Sequence, residues 1–89
     1  MKNAKPYRNQ LAAVERRDRQ NASLDRALAA TVGAALKRAR QEKGLKLKHV
    51  AQRTGVSISK LHEIENGIRK LITCETFDAL VAAMEQEAA

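Results

Sequence analysis

The stretch from Val50 to Gly67 constrains this chain more than any other, because it reads as two short helices hinged at one glycine. Val50, Ala51 and Thr54 share a face of the first helix at i, i+3/i+4 spacing. Gly55 then supplies a backbone that turns sharply without a Cβ penalty. Ser57 has the chemistry to cap the second helix, since its hydroxyl can accept an orphan N–H of the first turn. Leu61 and Ile64 face back toward the first helix, and Ser59, His62, Glu63 and Asn66 fall together on the opposite, polar face. A helix gripped from behind by apolar residues and polar in front is what reading the major groove of a duplex requires.

The flanking pattern is helical throughout, with no strand alternation, repeat or low-complexity tract, so an all-α fold is expected. Residues 1 to 8, with Pro6 and little apolar material, are expected to be disordered. Residues 9 to 20 suit a helix by propensity, with Leu11 and Val14 three apart. Ser23 is a candidate N-cap for a long helix whose stripe is Leu24, Leu28, Val32, Ala35, Leu36 and Ala39. That helix ends near Lys43, with Gly44 as its stop. The two short helices are expected at about 47–54 and 58–66, followed by a loop over 67–72. Thr73 caps a last helix, with Glu75 set against its positive end and Phe77, Leu80, Val81 and Met84 as its stripe. The expected domains are an N-terminal arm over 1–22, disordered to helical, and a helical domain over 23–89.

These residues resemble the Cro and phage-lambda-repressor family of helix-turn-helix proteins. The family pattern is Leu-Ala-x-x-x-Gly-Val-Ser, an apolar residue four places after the Ser, then Ile-Glu-x-Gly. The chain matches it from Val50, which stands for the usual Leu, to Gly67. The resemblance extends upstream through Gly33-x-x-Leu36-x-x-x-Arg40 and Gly44-Leu45, and downstream to about Met84. It implies a lambda-repressor-like bundle of four core helices, to which this chain adds an N-terminal helical extension. It implies base contacts from Ser57, Ile58, Ser59, His62 and Glu63. Ile58 suits a thymine methyl, His62 guanine N7/O6, and Glu63 a cytosine amine. Ile58 reads equally well as a core residue, and Glu63 as an ordinary surface residue.

Phosphate contacts are implied at Lys46 and Lys48, which open the first short helix where backbone N–H groups also point outward. Lys60 and Arg69 flank the second and are assigned the same role. Leu47 stands where relatives often carry a phosphate-binding Gln. Arg40 and Glu65 are expected to pair and fix the reading helix on its support. The family position of Gly33 suggests close packing there against a neighbouring helix, whereas His49 and Cys74 read as bystanders.

Charge supports the same reading. Residues 37–70 hold ten Lys/Arg against three Glu, and residues 1–30 of the extra arm and its junction hold seven bases against three acids, whereas 71–89 hold four acids and no base, within a net +7. Positive charge gathered around the reading helix is the electrostatic mark of a polyanion binder. The two distant histidines and single cysteine suggest neither a metal site nor a disulfide. No nucleophile–base pair, paired-carboxylate constellation or phosphate-cradling glycine loop suggests an enzyme, and no cofactor is expected. The N-terminus lacks an apolar secretory core, and the run 28–36 is too short to span a bilayer, so a cytoplasmic protein is expected.

The sequence thus predicts a sequence-specific double-stranded-DNA-binding regulator, a repressor acting as a homodimer on a pseudo-palindromic operator. Sixteen alanines and only Tyr7 and Phe77 as aromatics make a thin core, which favours dimerisation. The expected interface is the last helix, because relatives pair through this end and because Phe77, Leu80, Val81 and Met84 are expected to be more apolar surface than a four-helix domain covers. The fifth helix that many relatives use for dimer contacts is expected to be missing. The rival interface is Leu11, Val14, Leu24 and Leu28 of the extension. Two other readings stand beside repression. One is an antitoxin whose N-terminal arm engages a protein partner, and the other is a protein-interaction or coactivator module on the same fold.

Overall fold

The computed structural model describes residues 1, 3–16, 22–68 and 71–86, without the side chains of 22–24. Those residues form five helices and no strand: α1 (Ala4–Arg16), α2 (Ala22–Glu42), α3 (Leu47–Thr54), α4 (Ile58–Glu65) and α5 (Cys74–Glu85). The architecture is all-α. The Ser23 hydroxyl lies outside the described residues, and α2 has already begun one residue earlier.

The expected disorder of residues 1–8 gives way to helix from Ala4. Pro6 permits this because it is the third residue of α1. The first four N–H groups of a helix have no intrahelical partner, so a missing one costs nothing there. What orders the segment is its packing along α5, in the opposite direction. The Met1 amino group lies 2.8 Å from Glu85 Oε1, Arg8 Nε donates to Asp78 Oδ1 at 2.9 Å, and Glu15 Oε1 accepts the Cys74 N–H at 2.7 Å. The first of these bonds draws the Glu85 carboxyl below its usual range. Between the polar contacts Leu11 is 1% exposed and belongs to the same apolar cluster as Phe77, Leu80 and Met84. Tyr7, Ala4 and Ala12 pack against that cluster from the same helix. The segment expected as an arm therefore contributes to the core.

This changes the expected dimer interface. Phe77, Leu80 and Met84 are buried inside the protomer at 1–3% exposure, and only Val81 of the four is half-buried. The last helix had been expected to carry more apolar surface than four helices can cover. The first helix is the missing cover, together with contacts of α5 to α2 and α3. The rival interface loses Leu11 for the same reason.

α2 sends Val32, Leu36 and Ala39 into the core, with Leu28 and Ala35 half-buried. Its end is a Schellman motif, in which the Gly44 N–H bonds Gln41 O at 3.0 Å and the Leu45 N–H bonds Arg40 O at 3.1 Å. α5 begins at Thr73, whose hydroxyl accepts the Thr76 N–H at 3.1 Å. Its last turn is held from α3, where Arg53 Nη1 donates to Ala83 O at 2.8 Å and Gln86 O at 3.3 Å. A cation at a helix C-terminus satisfies carbonyls that have no partner within the helix.

If α1 is part of the core, truncating its buried anchor must destabilise the whole domain. Leu11→Ala is expected to cost about 2–5 kcal/mol in urea unfolding, as for other buried leucines. A loss below roughly 0.5 kcal/mol, the range of ordinary surface substitutions, would show that α1 rests on the domain without supporting it.

Candidate nucleic-acid interface

α3 and α4 meet at a turn that each of four consecutive residues helps to close. The Thr54 hydroxyl donates to Val50 O at 2.8 Å and accepts the Val56 N–H at 3.1 Å. Gly55 sits at φ 77°, a left-handed conformation open to glycine, and its N–H bonds Ala51 O at 2.8 Å. Val56 packs against the core, and Ser57 Oγ accepts the Lys60 N–H at 3.1 Å, capping α4. The chain thereby turns with the N–H groups of Gly55, Val56 and Lys60 bonded.

The orientation of α4 is set by α2. A Cβ on Gly33 would collide with the carbonyl oxygen of Ile64 and press on that of Glu65, so the two backbones touch where only glycine fits. One side-chain fork then locks the crossing. Arg40 Nε donates to Glu65 Oε2 at 2.7 Å, Nη2 to Glu65 Oε1 at 2.9 Å, and Nη1 to Leu45 O at 2.8 Å. The two side chains are only 12% and 9% exposed. The bonds that Arg40 donates to Glu65 raise its pKa above the ordinary value, against the lowering effect of burial. Because the same guanidinium holds the residue before Lys46, it joins the ends of α2 and α4 to the start of α3.

With Leu61 and Ile64 buried, α4 leaves Ser59, Lys60, His62 and Asn66 exposed. Ile58, which suited a core as well as a reading role, is 51% exposed at the start of α4. Glu63 is half-buried. Asn66 Nδ2 donates to His62 O at 2.8 Å and lies 3.4 Å from His62 Nδ1, so the two side chains form one polar surface. Lys46 and Lys48 are exposed at the start of α3, while Arg69 lies outside the described residues.

Three structural roles escaped the sequence. His49 is no bystander, because its Nδ1 accepts the Lys46 N–H at 3.0 Å. That is the reciprocal half of a capping box, played by an imidazole where Glu or Gln is usual. Lys46 has no acceptor with which to complete the other half. The spacing Lys46–His49 was the only available signal. Arg53 and Thr54 were recognised by no pattern, because one depends on a carbonyl thirty residues away and the other on the backbone of the turn itself. Cys74 remains apart from this face. Burial pushes its thiol above the usual range and so disfavours the thiolate.

Among the described residues no group of three His, Cys, Asp or Glu could hold a metal ion, and no helix is long and apolar enough to cross a membrane.

A capped short helix, a glycine turn and a second helix exposed along one polar face define a helix-turn-helix protein. The family model for the helix-turn-helix domain matches residues 31–88, and the chain belongs to that family. No curated protein and no solved structure matches the chain.

The ion pair gives the site its first test. Removing one partner strands a nearly buried charge, so Arg40→Leu and Glu65→Leu are each expected to cost about 3–5 kcal/mol. The double replacement is expected to recover much of that loss, since burying the pair costs desolvation that apolar side chains avoid. Strictly additive losses in this double-mutant cycle would contradict the coupling.

Proposed function

We propose that the protein is a non-catalytic, cytoplasmic transcriptional repressor of the Cro and lambda-repressor type. In this reading it binds double-stranded DNA sequence-specifically, as a homodimer on a pseudo-palindromic operator. The observation that carries the reading is the presentation of α4. Its inner face is fixed by Gly33, Leu61, Ile64 and the Arg40 fork, and its outer face is exposed beside unburied lysines.

Ser57, Ser59, His62 and Glu63 meet base edges through hydrogen bonds, and Ile58 meets the C5-methyl of a thymine. Exposure of Ile58 favours this role over a core one. Lys46, Lys48, Lys60 and Arg69 hold phosphates, with the N-terminus of α3 adding backbone N–H groups and a positive dipole. Such a unit covers half a site, and two-fold pairing places the reading helices about 34 Å apart. The interface lies outside the buried residues of α5. The antitoxin reading rests on the N-terminal 30 residues as an extra arm, and the burial of Leu11 in the core favours repression over it.

Selection of bound duplexes from random DNA is expected to enrich a single pseudo-palindromic sequence, and a pool that stays random would overturn the reading. On that duplex, Ile58 is tested by replacing a thymine with uracil, which removes only the methyl group. At one position per half-site the exchange is expected to weaken wild-type binding by about 1 kcal/mol, the value of one buried carbon, and to leave Ile58→Ala unaffected. If no thymine position behaves so, Ile58 reads no methyl group. Lys46→Ala and Lys48→Ala are each expected to lower the log–log salt slope by about 1, on selected and scrambled DNA alike. An unchanged slope in both would place α3 away from the backbone.

A further inference from the structure

Between the middle of α2 and the end of α4 runs an open groove of about 440 Å³ that no assigned contact uses. Ala30 and Ala34 line it with nothing larger than a methyl group. Its walls carry Lys37, Arg38 and Gln41 from α2 and Asn66 from α4. Glu65 also lines it, but both of its carboxylate oxygens are engaged by Arg40, at 2.7 and 2.9 Å. The two cations form no ion pair among the described residues, and Arg38 makes none with Glu42 one turn further along α2. The groove is therefore lined with hydrogen-bond donors and uncompensated positive charge.

Its position relates it to the reading face. Asn66 forms one wall and also bonds His62 O at 2.8 Å, so the groove opens directly beside the outward surface of α4. Lys37 lies one turn before Arg40 on α2, and Arg40 holds the residue preceding Lys46. Lys37 and Arg38 thus stand on the helix whose Arg40 holds the start of α3, where Lys46 and Lys48 are exposed.

We propose that the groove is a second backbone site, in which Lys37, Arg38, Gln41 and Asn66 bind phosphodiester groups of the same duplex that α4 reads. The inference rests on the DNA-binding reading above and extends its footprint from α3 onto α2. The chemistry fits: Arg38 offers a planar fork to phosphate oxygens, Lys37 a mobile point charge, Gln41 a neutral N–H donor, and Asn66 the second N–H of an amide whose first bonds His62 O. Such contacts position the protein and raise affinity without reading sequence.

The test is the salt dependence of binding, measured by fluorescence anisotropy on the duplex recovered by selection and on a scrambled duplex of the same composition. Lys37→Gln/Arg38→Gln is expected to lower the log–log slope by about 2, since each lost phosphate contact removes roughly 0.9. The affinity ratio between the two duplexes is expected to stay the same. Lys5→Gln/Arg16→Gln removes the same charge from the exposed side of α1 and is expected to leave the slope unchanged. Thermal unfolding followed by circular dichroism is expected to show both double variants folded.

Three results overturn the proposal. They are an unchanged slope in the groove variant, an equal drop in the α1 variant, which would mean long-range charge rather than contact, and a changed affinity ratio, which would place these residues on bases. A wild-type protein without affinity for either duplex would instead overturn the functional reading, and the groove with it.

Discussion

The close crossing of α2 and α4 at Gly33 decides where the second helix of the turn points. Without a Cβ at that position the carbonyls of Ile64 and Glu65 come against the backbone of α2. Helix axes this close leave little freedom for α4 to slide or roll. Arg40 and Glu65 then act at a fixed separation, and a fork geometry converts the contact into an orientation. The pair adds less stability than its short bonds suggest, because two charges lose water to form it. Its contribution is geometric, and geometry is what a reading helix needs.

Support for that geometry passes through the remainder of the fold. α1 covers α5 with Leu11 and fastens to it at both ends. α5 is fastened in turn to α3 by Arg53, and α3 is joined to α4 by the closed turn at Thr54–Ser57. A domain this small buries only about 60–65% of the surface of its unfolded chain, so an additional helix is a substantial part of its core. The arrangement also sorts charge. Asp78 and Glu85 of α5 pair with Arg8 and the Met1 amino group. Lys37, Arg38, Lys46, Lys48 and Lys60 lie around α2, α3 and α4, where a polyanion would be attracted.

Much of the fold was legible in the sequence, and the reasons are local. Gly55, Ser57 and Thr73 act within three or four residues of themselves, so their turn and cap signals survive without knowledge of the fold. The stripes of α2 and α5 likewise follow from a period of 3.6. What the sequence hid was long-range. α1 is ordered by partners 59 to 84 residues distant, and nothing in residues 1–8 announces them. Composition pointed to a thin core, and from that a dimer through α5 was expected; the chain instead covers α5 with its own first helix. The face of Ile58 was ambiguous because the first residue of a short helix is poorly specified by periodicity. Exposure separated the two roles only once the packing of Leu61 and Ile64 was visible.

The central claim is that α4, presented on its outer face by the support behind it, is the surface that meets DNA. Backbone amide chemical shifts of the isotope-labelled protein, followed while a duplex recovered by selection is added, test it residue by residue. The account predicts that the largest changes fall on residues 57–66 and at Lys46–Lys48, with α1 and the outer face of α5 nearly still. Changes centred on α1 or α5, with α4 unmoved at saturation, would contradict it.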